Sequence, residues 1–97
     1  MKKLCPIIGS IKIIGTRPRL KIIRHLAEGD KSFNDMRRVC EVSSRTLSVN
    51  VKYLVIQQIV GVRKESNKKI YFLTQKGKEL LPIINMLGKW GKKWKVC

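Results

Sequence analysis

Arg45 lies between Ser44 and Ser48 in the stretch VSSRTLSVNVKYLVIQQIV, residues 42–60, which contains no carboxylate. At helical spacing Leu47, Val51 and Leu54 share one side with Gln58, while Arg45, Ser48 and Lys52 share another. A face of hydroxyls and a guanidinium donates hydrogen bonds and repels acids, so its natural partner is an array of acceptors with negative charge around it. A guanidinium can bond both major-groove acceptors of a guanine, which makes Arg45 the candidate for a base contact. Ser44 and Ser48 are short enough to meet bases or phosphates, and Lys52 stands where a backbone would pass. Arg37 and Arg38 precede the stretch and Arg63, Lys64, Lys68 and Lys69 follow it, all candidate phosphate contacts.

The balance of charge supports this. Twenty-two Lys and Arg against 6 Asp and Glu give a net charge of +16 over 97 residues. Such self-repulsion is tolerated where the partner is a polyanion, and double-stranded DNA is the first candidate. A membrane is a poor second, because no apolar run approaches the ~20 residues needed to span a bilayer. The opening MKKLCPIIGSIKIIG imitates a signal peptide, but Lys12 interrupts its apolar part and no small-residue cleavage site follows. The expected location is the cytoplasm. Paired carboxylates, a nucleophile with its base, and a Gly-rich phosphate loop are all missing, so the chain does not read as an enzyme.

Cys5, Cys40 and Cys97 lack the spacing of metal ligands, and the single histidine, His25, is far from each of them in sequence. Neither a metal nor another cofactor is expected, and His25 reads as a solvent-side or core-edge residue. Cys40 reads as structural. Cys5 sits at a helix start beside Lys2 and Lys3, where the dipole and the cations favour a thiolate; a small buried hydrophobe is the competing reading.

These residues need elements to position them. A helix is predicted over 6–14, with Pro6 in its first turn, Ile7, Ile11 and Ile14 on one face, and Gly15 as its end. A second, RPRLKIIRHLAEG, lines up Leu20, Ile23 and Ala27 and closes at Gly29. A short third helix over 34–39 turns Phe33 and Met36 inward and Arg37 and Arg38 outward. Ser43 then caps a fourth helix reaching about Gln58. Two helices joined by so short a turn make a helix-turn-helix, with the stretch at 42–60 in the recognition position. GVRKE and KIYFL read as strands around an SNK turn, a basic hairpin that acts as a wing. Thr74 caps a last helix striped by Leu80, Ile84, Leu87, Trp90 and Trp94, with a kink expected at Pro82. The fold class is mainly α with a small β-hairpin, in one domain over 1–97.

Ile7, Ile11 and Ile14 together with Leu87, Trp90 and Trp94 exceed the needs of one small core, and they are the candidate interface of a homodimer.

CPI at 5–7, IG at 14–15, SFNDMRR at 32–38, VSSRTLS at 42–48 and YFLTQKGKELLPIINMLGKWG at 71–91 follow one another as in the HxlR-type winged-helix transcriptional regulators, which this chain resembles over nearly its whole length. The resemblance implies a homodimer joined through its first and last helices on pseudo-palindromic DNA. It also implies that Cys5, in the position of the family's N-terminal cysteine, senses electrophiles or oxidants. The chain departs from the family where Gly15-Thr16-Arg17-Pro18 replaces the usual Gly-Gly-Lys-Trp, and where the recognition helix ends in YLVIQQIV without acids or glycine. A sequence-specific dimeric regulator is the leading reading. A low-specificity nucleoid protein on the same fold is the alternative.

Overall fold

Prolines near the start of three helices explain where those helices begin. A residue without an N–H costs nothing in a first turn, and its fixed φ suits the helix. In the computed structural model, which describes residues 4–96, Pro6 opens α1 (Cys5–Ile14) and Pro18 opens α2 (Arg17–Leu26). The third proline overturns an expectation. Pro82 does not kink a long last helix; it starts a new one, α6 (Leu81–Lys93), separate from the short α5 (Gln75–Lys78) that Thr74 caps. Chain that would have had to bend around Pro82 is instead broken before it.

The remaining elements are β1 (Lys31–Ser32), α3 (Phe33–Cys40), α4 (Ser44–Ile56), β2 (Val60–Glu65) and β3 (Lys68–Leu73). Ser32 and Ser43 each accept a hydrogen bond from a backbone N–H in the first turn that follows, Asp35 at 3.2 Å and Thr46 at 3.1 Å. Between the two helices Glu41 takes a left-handed φ of 54° and turns the chain. Helix α4 stops short of Gln58, whose φ of 63° leaves the helical region. Gln58 therefore does not share the side of Leu47, Val51 and Leu54.

The sheet has three strands in the order β1-β3-β2, both pairs antiparallel. The hairpin was expected, but β1, pairing Lys31 with Tyr71 and Ser32 with Ile70, was not. The turn is tighter than SNK: Ser66 and Asn67 alone form it, both at positive φ, and Lys68 already pairs with Glu65. Two left-handed residues match the right-handed twist of the flanking strands.

The core lies where α2, α3 and α4 meet the base of the hairpin, around Ile22, Ile23, Met36, Leu47, Leu54 and Val60. In α2 the inward residues are Ile22, Ile23 and Leu26, not the expected set of Leu20, Ile23 and Ala27. Ile22 and Leu26 bury far more apolar area than an alanine, so the helix rolls to put them inside. The stripe on the last helices divides. Leu80 and Ile84 rest against the core, whereas Leu87, Trp90 and Trp94 are exposed. The first helix divides likewise, with Ile14 against the core and Ile7 and Ile11 outside.

Thr74 clips α5 to the end of α4. Its Oγ1 accepts from Gly77 N at 3.1 Å and donates to the Gln58 carbonyl at 2.6 Å. Gly77 is pressed against this junction so closely that a Cβ would overlap the Ile59 carbonyl oxygen and stand 3.1 Å from Leu73 Cδ2. Gly77→Ala is expected to reduce the unfolding free energy by about 1–3 kcal/mol. The check is a lower urea midpoint at an unchanged slope.

Candidate nucleic-acid interface

Helix α4 is held by its buried side and offers the other. Leu47, Val51 and Leu54 lie in the core, so the helix cannot roll without exposing them. The opposite side carries Arg45, Val49, Lys52 and Ile56, all exposed. Ser44 is exposed at the N-terminal end, and Ser48 is half-buried one turn on. The first turn has no acidic residue, and Ser43 satisfies Thr46 N while leaving the helix end open. Such an end, with backbone N–H groups and positive dipole pointing outward, suits an anion.

Basic residues line the hairpin beside this face and the helix that precedes it. Strand alternation puts Lys64 and Lys69 directly opposite each other, while Arg63, Glu65 and Lys68 fall on the other face of the hairpin. Lys69 lines a cleft of about 280 Å³ with Lys52, Ile56, Val62 and Tyr71, between α4 and the hairpin. Lys68 and Lys69 also border a wider cleft of about 560 Å³, whose far wall includes Arg37 and Arg38 of α3. One cleft thus joins Lys69 to Lys52 of α4, and the other joins Lys68 and Lys69 to Arg37 and Arg38 of α3. Like charges facing each other across a strand pair, as Lys64 and Lys69 do, are unfavourable without an anion nearby.

Two of the candidate phosphate contacts are already engaged. Arg63 donates to Asp30 at 2.8 Å and to Glu65, and its guanidinium lies 5.6 Å from the centre of the Phe72 ring. Those two carboxylates hold the guanidinium even further above its ordinary range. Arg38 pairs with Asp35, whose carboxyl is held below the usual range first by that hydrogen bond and then by Ser32. Among the described residues no carboxylate pairs with Arg37, Arg45, Lys52, Lys64, Lys68 or Lys69.

Sequence reasoning missed Arg19, which sets how α1 and α2 sit on α4. Its Nε donates to Asn50 Oδ1 at 3.1 Å, and its Nη1 to the Lys12 and Ile13 carbonyls at 2.9 and 3.3 Å. The guanidinium lies 3.7 Å over the Tyr53 ring. Asn50 is itself held by Nδ2 donating to the Thr46 carbonyl at 2.8 Å. Nothing in the sequence distinguishes this arginine from the other cations.

Cys40 is fully buried, and burial pushes its thiol up despite Lys21 and Lys31 nearby. Cys5 is exposed at the first position of α1; Lys2, Lys3 and Cys97 lie outside the described residues. His25 is half-buried and 3.4 Å from Glu28. Among the described residues no cluster of His, Cys, Asp and Glu could hold a metal, and no helix is long and apolar enough to cross a membrane.

Comparison with known proteins agrees with this geometry. A family model described as HxlR-like helix-turn-helix matches residues 13–96. The uncharacterized HTH-type transcriptional regulator MJ0925 of Methanocaldococcus jannaschii is 33% identical over 88 residues, covering 86% of this chain and 79% of that protein. The uncharacterized HTH-type transcriptional regulator YybR of Bacillus subtilis is 30% identical over 95 residues, covering 94% and 76%. Among solved structures, the reduced form of the transcriptional regulator YodB from B. subtilis has a TM-score of 0.84 at 25% identity, covering 91% of this chain and 90% of that one. The redox regulator HypR in its reduced form scores 0.80 at 29% identity, covering 91% of each chain.

The two described cysteines should separate cleanly. Iodoacetamide is expected to modify Cys5 in the native chain and to leave Cys40 unmodified until denaturant is added, as read by peptide mass spectrometry. Because the folded chain keeps the Cys40 proton more tightly than the unfolded one, this contribution to stability is full below pH ~8.5. It declines as pH rises through the raised folded value, and the decline is absent from Cys40→Ala.

Proposed function

Since the chain belongs to the HxlR-like helix-turn-helix family of DNA-binding transcription regulators, we propose that it is a homodimeric, sequence-specific regulator that inserts α4 into the major groove. The observation that carries this reading is the acid-free outer face of α4, beside a cleft where Lys52 and Lys69 meet with no carboxylate partner among the described residues. Ser44, Arg45 and Ser48 occupy the N-terminal half of the helix, the part that reaches base edges in helix-turn-helix proteins. Lys52, Arg37, Lys64, Lys68 and Lys69 take the phosphates on either side. Arg38 exchanges its exposed partner Asp35 for a phosphate. Arg63 mainly stiffens the hairpin, since a phosphate there would have to displace two carboxylates.

The dimer reading rests on apolar surface the core does not use. Ile7 and Ile11 on α1, Leu87 and Trp90 on α6 and Trp94 just past its end are all exposed, with Trp90 at 58%. Apolar residues left outside in a chain of net charge +16 mark a contact surface. A two-fold pair would place two copies of α4 on half-sites about 34 Å apart. Cys5 is exposed at the first position of α1, and we assign it the sensing of electrophiles or oxidants. The similarity to YodB and HypR, both known in reduced forms, supports that role. The low-specificity architectural reading is favoured by one observation, the facing pair Lys64 and Lys69, which needs an anion but no particular base.

Sedimentation at micromolar concentration and physiological salt should give a dimer, and Trp90→Lys should give a folded monomer; a monomeric wild type refutes the assembly. On the preferred duplex Arg45→Ala is expected to cost about 1–3 kcal/mol and relax the preference at one position per half-site. Lys68→Ala should weaken preferred and random duplexes alike and lower the salt slope by roughly one unit. Equal weakening of both duplexes by Arg45→Ala would favour the architectural reading.

A further inference from the structure

Helix α4 leaves a valine where a soluble helix ordinarily keeps a polar residue. Val49 is 60% exposed and falls on the line of Arg45, Lys52 and Ile56, directly opposite the buried Leu47, Val51 and Leu54. A β-branched residue there loses rotamer freedom against the preceding turn and gains no burial in return. Ile56, further along the same line, borders the cleft between α4 and the hairpin, together with Val62 and Tyr71. Val49 does not border that cleft. Its neighbours on the outer line are Arg45 one turn before and Lys52 one turn after, neither paired with a carboxylate among the described residues.

A single isopropyl group between two cations is a poor seat for a protein partner, which would need a wider apolar area and would have to bury both charges. It suits a small apolar group set among phosphates. The major groove offers one such group, the C5-methyl of thymine. We propose that Val49 is a specificity-determining residue whose side chain packs on a thymine methyl beside the base read by Arg45. This deepens the reading of α4 as a recognition helix and rests on it. Val49 is four positions after Arg45, about 6 Å of helix rise. Successive base pairs are ~3.4 Å apart. The thymine therefore lies within about two base pairs of the position Arg45 reads.

The test removes only the methyl. Duplexes enriched by the full chain from a random library are remade with each thymine replaced in turn by uracil. One replacement, within two base pairs of the position relaxed by Arg45→Ala, is expected to weaken the wild type about fourfold, the value of one buried methyl. Val49→Ala should bind the thymine and uracil duplexes equally while keeping its affinity for random DNA, and Val49→Ile should keep the difference. Uniform tolerance of uracil by the wild type overturns the proposal, as does a thymine preference that survives in Val49→Ala. If an Arg45-dependent motif emerges without methyl sensitivity, only the role of Val49 falls. If no motif is enriched, the sequence-specific reading falls with it.

Discussion

Arg19 lies flat over Tyr53 while its donors reach Asn50 on the same helix and two carbonyls at the end of α1. One guanidinium thereby joins three helices: α1, its own α2, and α4. A lysine could not replace it, since only a planar fork satisfies acceptors at its edge while its face stacks on a ring. The two carbonyls belong to the last turn of α1, whose residues have no intrahelical donors to meet them, so the arginine also completes a helix end. Hydrophobic burial decides which side of α4 faces inward, but it leaves the helix free to slide along its own groove. The bonds to Asn50 and the contact with Tyr53 remove that freedom. The direction in which Arg45 and Val49 point is thus set from beneath, by a residue that need touch no partner.

The scarce carboxylates are distributed to similar effect. Asp35 holds Arg38 on α3, and Asp30 and Glu65 hold Arg63 midway along the hairpin. Both pairs are exposed, so each adds little to stability. Their consequence is directional: they take up positive charge at the margins and leave it uncompensated beside α4. Lys52 and Lys69 share the cleft beside α4, and Lys64 faces Lys69 across the strand pair, a sharper statement than the net charge alone allows.

Much of this was legible in the residues. Ser43 as a cap, the inward set Leu47, Val51 and Leu54, and the hairpin each follow from local chemistry, because each is decided by near neighbours in the chain. The misreadings share a different cause. A strand of two residues, Lys31–Ser32, shows no alternation, since its existence depends on a partner almost forty positions away. The facing of α2 was decided by competition among Leu20, Ile22, Ile23 and Leu26 for one cavity, which periodicity cannot rank. Pro82 is compatible with either a kink or a fresh start, and the short turn at Glu79 and Leu80 chose the latter. Of the candidate contacts, Arg38 and Arg63 looked like their neighbours in sequence, and only the fold reveals their acidic partners.

Helix α6 is fastened at one end only. Leu80, Leu81 and Ile84 rest against the core, while Ile83, Met86, Leu87, Trp90 and Trp94 lie outside it. In the dimer proposed above, folding and association would therefore be carried by different residues, free to drift independently over evolution. Substitutions beyond Ile84 would re-address such a chain to a new partner without threatening its fold. In a cell that keeps several chains of this architecture, that separation would let duplicated copies become insulated from one another, each pairing with its own kind, with the core beneath α4 preserved intact.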